Sequence, residues 1–152
     1  MRDVTLVFLL RENELLLGMK KRGFGANKWN GLGGKVDGSE TVEQAAVREV
    51  QEESSVAIAK QDLKYIGSID FHFDHDSSWD QRAHIYFVRS WKGVPQETDE
   101  MLPQWFSLDA LPYDKMWIDD KYWLPKALAK ETIDATFVFS NKGASIKKME
   151  FR

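Results

Sequence analysis

The chain contains no cysteine, which excludes disulfide bonds and thiolate metal centres. Its three histidines, His72, His75 and His84, show no metal-ligand spacing on a predicted helix. No apolar run is long enough to cross a membrane and no signal peptide is recognisable, so we expect a cytoplasmic protein. The longest basic run is residues 20–22, and the formal net charge is −3, so a long nucleic acid polymer is not the expected partner.

Internal repeats, low-complexity segments and linkers are also absent from the 152 residues. A chain of this length is long enough for one domain with a sizeable core. The composition, 43% hydrophobic and 30% charged, is that of an ordinary globular protein. We therefore predict a single domain over residues 1–152 that does not associate with membranes and is monomeric.

Residues 34–56, GKVDGSETVEQAAVREVQEESSV, predict a glycine loop followed by an amphipathic helix. Thr41 and Gln44 have the spacing of a capping box, and neither Gly nor Pro interrupts residues 42–53. At about 100° per residue, one face of this helix begins apolar and becomes acidic. The residues on this face are Val42, Ala45, Ala46, Glu49 and Glu53, with Glu52 at its edge.

The acidic end of this face favours a metal site. A run such as REVQEE is usually a solvated helix end, but Glu49 and Glu53 continue the inward-facing stripe. Inward carboxylates four residues apart repel each other and need a cation. Arg48 supplies one positive charge, and Mg²⁺ or Mn²⁺ suits the remaining carboxylates. Because Mg²⁺ takes few protein ligands and shares substrate phosphates, the pattern indicates phosphate chemistry.

The order of the other elements predicts a mixed sheet between helices. Apolar or alternating runs predict strands at residues 4–10, 15–20, 63–73, 83–91 and 104–106, and a closing hairpin at 136–139 and 146–151. Gly67 is the expected site of a bulge in the third of these strands. A second helix is predicted from Asp119 or Asp120 to about Lys130. Without the short run at 104–106, the resulting order is β-β-α-β-β-α-β-β, which belongs to the α/β (α+β) class.

The stretch from 34 to 56 resembles the Nudix box, G-x5-E-x7-R-E-U-x-E-E-x-G-U, in which U is apolar. Ser55 stands where the family has glycine, just past the helix, where a left-handed residue is common. The resemblance implies an α/β/α sandwich with a mixed, curved sheet and hydrolysis of a nucleoside diphosphate linked to another group. The residues that match in register are Gly34, Glu40, Arg48, Glu49, Val50, Glu52, Glu53 and Val56.

The flanking residues resemble the branch of the family that hydrolyses oxidised purine nucleoside triphosphates, such as 8-oxo-dGTP and 2-hydroxy-dATP, to monophosphate and pyrophosphate. Residues 15–36, 98–128 and the closing strands carry this similarity, whereas residues 57–81 match poorly. Trp79 stands near a position where the branch has an apolar side chain against the base, so it either replaces that side chain or leaves the pocket more open. The resemblance places these residues at the base or near it: Lys20, Phe24, Asn30, Phe71, Trp117, Asp119 and Asp120.

Several of these residues can be interpreted from their chemistry. Asn30 offers both a donor and an acceptor. Asp119 and Asp120 are adjacent acids that do not both ionise easily in an apolar pocket, so one can donate while the other accepts. Trp117 offers a stacking face. The structural alternatives are that one Asp caps the helix, that Trp117 is a core residue, and that Phe71 is an ordinary strand residue.

The mechanism implied by the resemblance is metal-assisted hydrolysis. Glu49, Glu53, the Gly33 carbonyl and possible further ligands Glu52 and Glu100 would hold the metal. Glu52, Glu53 or Glu100 would act as the base, while Arg48, paired with Glu40, orients the carboxylates. The sequence leaves two alternatives: another Nudix substrate, such as ADP-ribose, a dinucleoside polyphosphate or a methylated purine nucleotide, or a domain that senses nucleotides without hydrolysing them.

Overall fold

The structure, a computed structural model, describes residues 1–152 and contains eight strands and two helices. The strands are β1 (Arg2–Arg11), β2 (Glu14–Lys20), β3 (Trp29–Asn30), β4 (Leu63–Phe73), β5 (Gln81–Val88), β6 (Met101–Ser107), β7 (Ile133–Ser140) and β8 (Ser145–Phe151). The helices are α1 (Val42–Ser54) and α2 (Asp120–Leu128). Neither helix combines the length and hydrophobicity needed to cross a membrane.

One mixed sheet organises the fold, in the order β3-β2-β1-β5-β4-β7-β8, with β6 paired to β2. Strands β1 and β5 are parallel, as are β4 and β7, and the remaining pairs are antiparallel. The predicted hairpin of β1 and β2 is confirmed, but only two residue pairs form it, since β2 continues alongside β6. The predicted mixed sheet with two helices is therefore confirmed.

Successive side chains of β1 point into two different hydrophobic cores, one on each face of the sheet. Val7 and Leu9 point into the core that includes Val50 of α1. Phe8 points into the other core, which includes Trp123 of α2. Since successive side chains of a strand face opposite sides of the sheet, the two helices lie on opposite faces. This layering matches the predicted sandwich.

Helix α1 begins and ends as its sequence predicts. The Thr41 hydroxyl accepts from the Gln44 N–H at 3.1 Å, and the Gln44 side chain accepts from the Thr41 N–H at 2.9 Å. Ser55 then adopts the left-handed conformation, with φ 66° and ψ 14°. The capping box and the left-handed position are both confirmed, and the latter is strained for a residue with a Cβ.

Several predicted limits were wrong. Strand β5 ends at Val88 rather than at residue 91, and the chain forms only a single bridge from Lys92 to Ala57. Strand β6 begins three residues earlier than predicted because it pairs along the whole of β2. The two-residue β3 lies between the predicted strand at 15–20 and the glycine loop, where no strand was predicted. The bulge at Gly67 is confirmed, and a Cβ there would lie 1.9 Å from the Ile133 carbonyl oxygen.

Candidate active site

A cavity of about 610 Å³ lies against β1. Its lining comes from β1, the segment between residues 18 and 35, the end of α1, β4, the turn before β5 and the start of α2. Among the acidic residues, only Glu53, Asp119 and Asp120 line it. The cavity therefore has an acidic wall at α1 and a second acidic wall at α2.

Glu53 is held at the α1 wall by the glycine loop. Its side chain is 6% exposed, and its Oε1 accepts from the Gly33 N–H at 2.8 Å. Burial raises the pKa of Glu53 to about 8; the Gly33 hydrogen bond opposes this rise, and the charges of Glu49 and Glu100 each add a smaller contribution that raises the pKa. A Cβ on Gly33 would lie 2.1 Å from the Thr5 carbonyl oxygen, so only glycine fits here.

Arg48 joins the other acids of α1. It donates to Glu40 through Nε at 2.7 Å and through an η nitrogen at 2.9 Å, a two-pronged contact. It also donates to Glu49 at 2.8 Å and to Glu52 at 3.3 Å. The hydrogen bond from Arg48 lowers the pKa of Glu40 to about 2. The predicted pairing of Arg48 with Glu40 is thus present, and Arg48 also fixes the carboxylate of Glu49.

Glu100 lies in the loop before β6, close to the acids of α1. The Glu100 N–H donates to the Thr98 hydroxyl at 3.3 Å, and that hydroxyl donates to the Glu53 carbonyl oxygen at 3.1 Å. Burial raises the pKa of Glu49, and the charge of Glu100 is one of the smaller contributions in the same direction. The loop therefore brings a third carboxylate into the field of Glu49 and Glu53.

These acids suit a divalent cation. The charges of Glu49 and Glu100 disfavour ionisation of Glu53, and a bound cation would remove that cost. No three acidic or histidine side chains converge closely enough to form a complete metal site by themselves. That arrangement fits an ion which takes few protein ligands and shares the oxygens of a phosphate.

The predicted metal ligands are not equally placed. Glu53 and Gly33 line the cavity, but Glu49, Glu52 and Glu100 do not. The Glu52 side chain is half exposed and faces Arg48. Gly33 contributes its N–H to Glu53. Of the predicted catalytic carboxylates, Glu53 is therefore the one that a ligand in the cavity can contact directly.

At the second wall, Asp119 and Asp120 are both buried, being 3% and 2% exposed. Trp123 donates from its indole nitrogen to Asp119 Oδ2 at 2.8 Å. Burial raises the pKa of Asp119 to about 6. Burial and the charge of Asp119 raise the pKa of Asp120 well above its ordinary value. The two shifts have the direction predicted for adjacent buried acids that do not both ionise easily, and Asp120 is the harder of the two to ionise.

Neither of these carboxylates caps α2. Asp119 occupies the cap position, but its φ of −77° and ψ of −26° are helical and its side chain makes no capping hydrogen bond. The carboxylate instead accepts from Trp123, one turn into the helix. Asp120 Oδ2 is buried and has no hydrogen-bond partner. The helix-cap alternative is therefore wrong, and the pair has an unused acceptor or donor in the cavity wall.

Aromatic rings form the wall beside this pair. The ring centroid of Phe24 lies 5.0 Å from that of Trp117 and 4.3 Å from that of Trp79. Trp117 is half-buried and lines the cavity, so it is more than a core residue. Trp79 is 38% exposed and also lines the cavity. Of the two predicted alternatives at Trp79, replacement of an apolar wall fits this contact better than an open pocket.

The remaining predicted base residues also reach the cavity. Phe71 is stacked on Phe139 at 5.6 Å, so it is both a core residue and a wall residue. The Asn30 side-chain oxygen accepts from the Gly31 N–H at 2.9 Å, which leaves its amide NH₂ without a partner in the protein. Lys20 donates to the Phe24 carbonyl oxygen at 3.0 Å and lowers the pKa of Glu53 slightly.

Among the lining residues that sequence reasoning did not include as candidates are two aromatic residues and three cations. Phe73 lies two residues after Phe71 on β4, so the same strand periodicity would have found it. Phe139 comes from β7, and its approach depends on pairing between β4 and β7. The other three are cations that sit at the rim: Arg2, Lys28 and Lys35.

Comparison with known proteins agrees with this geometry. The family model of the NUDIX domain matches residues 1–127. The oxidized purine nucleoside triphosphate hydrolase of Danio rerio is 46% identical over 136 residues, covering 90% of this chain and 85% of the relative. The corresponding protein of Mus musculus is 44% identical over 141 residues, covering 93% and 88%. The MutT protein of Bacillus halodurans superposes with a TM-score of 0.85 at 17% identity, covering 99% of this chain and 97% of that one, which shows the shared fold.

Proposed function

The chain belongs to the NUDIX family, and from this premise we propose that it hydrolyses modified purine nucleoside triphosphates to the monophosphate and pyrophosphate. The substrates of the proposed reaction are of the 8-oxo-dGTP and 2-hydroxy-dATP type. NUDIX hydrolases use a divalent metal ion, and we propose Mg²⁺ for this chain, with Mn²⁺ as the alternative. The reaction would remove damaged nucleotides from the cellular pool.

The observation that carries this proposal is the unpartnered Asp120 Oδ2 beside Asp119. A buried polar atom without a partner costs free energy that a ligand can recover. A protonated Asp120 donates and an ionised Asp119 accepts, so the pair recognises an edge that carries both an acceptor and a donor. Modified purines present such edges, and the amide of Asn30 supplies further contacts.

The residues of the α1 wall account for the chemistry. When bound, the metal ion neutralises phosphate charge and makes water more acidic. A bound cation would favour the ionised form of Glu53, which faces the cavity and can then accept the proton of the attacking water, whereas Glu52 faces Arg48. One water is consumed, the phosphorus–oxygen link between the α and β phosphoryl groups breaks, and pyrophosphate leaves. Arg48 keeps Glu49 in place throughout, and Lys20 attracts the polyphosphate.

Pyrophosphate release across a substrate panel tests the proposal. The panel contains 8-oxo-dGTP, 2-hydroxy-dATP, dGTP, dATP, dCTP and ADP-ribose, each with Mg²⁺. We expect a strong preference for the two modified purines. Hydrolysis of ADP-ribose yields AMP and ribose 5-phosphate rather than pyrophosphate, so this substrate is followed by AMP formation. Hydrolysis of ADP-ribose alone, or of no substrate with either Mg²⁺ or Mn²⁺, would contradict the proposed substrate class.

Two variants test the catalytic wall at α1 and the base-binding residues separately, in the same assay. Glu53→Gln is expected to remove nearly all turnover while circular dichroism and melting show an intact fold. Asn30→Ala is expected to raise KM for the modified purines much more than for dCTP. An equal change in KM for purines and pyrimidines would remove Asn30 from base recognition.

We further propose that the chain acts as a monomer in the cytoplasm, as a single domain, and without a nucleic acid polymer as partner. The net charge of −3 supports the last point. Strands β7 and β8 continue the same sheet beyond the matched residues, which supports the single domain. Light scattering of the purified protein, with and without DNA, tests the mass and the absence of such a complex.

A further inference from the structure

The turn that carries Trp79 joins β4 to β5 and forms one side of the cavity. It comprises residues 74–80 and contains a short 3₁₀ segment, Ser77–Trp79. The Trp79 ring is partly exposed, and the ring nearest to it, that of Phe24, belongs to another loop. An aromatic ring on a turn binds a base well only if the turn is fixed, because ordering the ring on binding costs free energy.

Asp80 directly follows Trp79 and takes the place of a strand partner for the end of β4. The ladder between β4 and β5 ends at Phe71, two residues before β4 itself ends. Beyond this ladder, the Phe73 N–H donates to Asp80 Oδ1 at 2.9 Å, and His72 Nδ1 lies 2.8 Å from Asp80 Oδ2. Both oxygens of the carboxylate are thus used by the last two residues of β4.

The backbone of Asp80 completes this connection. Its carbonyl oxygen accepts from the Arg2 N–H at 3.2 Å, and its N–H donates to the Ser77 carbonyl oxygen at 3.1 Å. Asp80 therefore links β1, β4 and the 3₁₀ segment that ends at Trp79. Because hydrogen bonds fix both its side chain and its backbone, the direction in which the chain presents Trp79 is fixed as well.

The Asp80 carboxylate itself lies behind the cavity wall. Phe71 and Phe73 line the cavity, and successive side chains of a strand alternate, so His72 faces the other side of the sheet. Trp79 lines the cavity, whereas Asp80 does not. Asp80 can therefore act on a ligand only through its neighbours.

The ionisation of Asp80 suits this role. Burial acts to raise its pKa, but the hydrogen bonds from His72 and from the Phe73 N–H hold the pKa of Asp80 below its usual value. The carboxylate is therefore ionised at neutral pH, and both of its oxygens accept. Hydrogen bonds to an ionised acceptor are stronger than those between neutral groups.

We propose that Asp80 is a positioning residue that holds the Trp79 ring against the base of the substrate. The assignment rests on the proposed function and deepens it. Loss of the carboxylate would leave the Phe73 N–H and His72 without their partner and would release the end of the turn. The ring would then have to be ordered when a base binds, so KM would rise while the chemistry at Glu53 continued.

Steady-state kinetics with 8-oxo-dGTP tests the assignment. Asp80→Ala is expected to raise KM up to about tenfold, the factor expected for loss of the Trp79 ring, with kcat close to that of wild type. Asp80→Asn is expected to restore most of the wild-type KM, because its amide keeps an acceptor for the Phe73 N–H and a donor for His72. Unchanged KM in Asp80→Ala would overturn the assignment.

A double-mutant cycle separates positioning from a general effect on the fold. In the Trp79→Ala background, Asp80→Ala is expected to change KM little further, because the two residues act through one ring. An equal factor in both backgrounds would overturn the assignment. His72→Ala removes only one of the two side-chain contacts and serves in the same cycle if Asp80→Ala does not fold; its smaller rise in KM is also expected to vanish without the ring.

Asp70→Ala is the matched control. The Asp70 side chain is 19% exposed, close to the 17% of Asp80, and it accepts twice from Arg82, at 2.7 and 3.1 Å, outside the cavity. Both alanine variants are expected to lose stability, but KM should rise only in Asp80→Ala. An equal rise in KM in the two variants would indicate a general loosening of the sheet and overturn the positioning role.

Acrylamide quenching of tryptophan fluorescence tests the position of the ring without substrate. The contribution of Trp79 is the difference between otherwise identical proteins with and without Trp79→Ala. We expect this contribution to be quenched more steeply in Asp80→Ala than in wild type or Asp70→Ala, and equal quenching in all three would overturn the assignment. If wild type hydrolyses no modified purine triphosphate, the proposed function fails, while the quenching still decides whether Asp80 positions Trp79.

Discussion

Asp119→Asn should stabilise the protein at neutral pH while impairing its base wall. In the folded protein, burial raises the pKa of Asp119 from 3.8 to about 6. The folded chain therefore keeps a proton that the unfolded chain has already released. For an acid with a raised pKa, stability falls as pH rises from the unfolded pKa to the folded pKa. The wild type thus loses stability between about pH 4 and pH 6 through this group, and the asparagine variant does not.

The magnitude follows from the pKa change. At about 1.4 kcal/mol per pKa unit, a rise from 3.8 to about 6 corresponds to about 3 kcal/mol at most. Asparagine retains an oxygen that accepts from the Trp123 indole, so the hydrogen bond need not be lost. Removing the charge of Asp119 also eases ionisation of Asp120, which lowers the pH dependence further.

Urea unfolding gives the free energy of unfolding of wild type and variant at pH 4 and at pH 7.5. The effect is the change, between the two pH values, in the free-energy difference between variant and wild type. Titrating groups other than Asp120 are present in both proteins and largely cancel, and the easier ionisation of Asp120 in the variant acts in the same direction as the loss of the Asp119 charge. We expect the variant to gain up to about 3 kcal/mol relative to wild type between the two pH values. The exposed change Asp114→Asn is the control. A free-energy difference between variant and wild type that is the same at both pH values would refute the buried-charge reasoning.

Three further substitutions test other parts of the structure. Trp79→Ala is expected to raise KM for purine substrates about tenfold, since base stacking is worth about 1–3 kcal/mol and the Trp79 ring is partly exposed. The control is Tyr122→Ala: the Tyr122 ring is about equally exposed but lies outside the cavity, so KM should not change. Gly34→Ala is expected to lower kcat on the order of tenfold or more, because the added Cβ would displace the Glu49 carboxylate. The control Gly38→Ala should have no effect, because a Cβ at Gly38 would meet nothing within 4 Å. Ser55→Gly is expected to raise the free energy of unfolding by about 0.5–1 kcal/mol because glycine accepts the left-handed conformation; an unchanged or lower value in urea titration would contradict this.

Local rules were sufficient for the helix that carries the acids. The limits of α1, its capping box and the inward direction of Glu53 all follow from spacing within one segment. Helical phase also placed Glu52 at the edge of the stripe, and its side chain is half exposed. The raised pKa values of the two aspartates likewise follow from their adjacency once a buried setting is assumed.

Features that depend on distant contacts were not predictable in the same way. The contact between Phe24 and Trp79 joins two loops that are far apart in the chain. Strand β5 stops at Val88 because pairing with β1 and β4 ends there, before Trp91, the residue at which the predicted strand ended. The contacts of Asp80 with the end of β4 require the register between β4 and β5, which no local pattern indicates.

The two cores on opposite faces of the sheet have a consequence for how this enzyme can diversify. The acids of α1 are supported from the core of Val7, Leu9 and Val50, while the aspartate pair is supported from the core of Phe8 and Trp123. Replacements in one core need not repack the other, because the sheet separates them. Base preference can therefore change in small evolutionary steps while bond cleavage is inherited intact. A library confined to the α2 face should yield hydrolases for altered bases more often than a library of equal size spread over the whole chain.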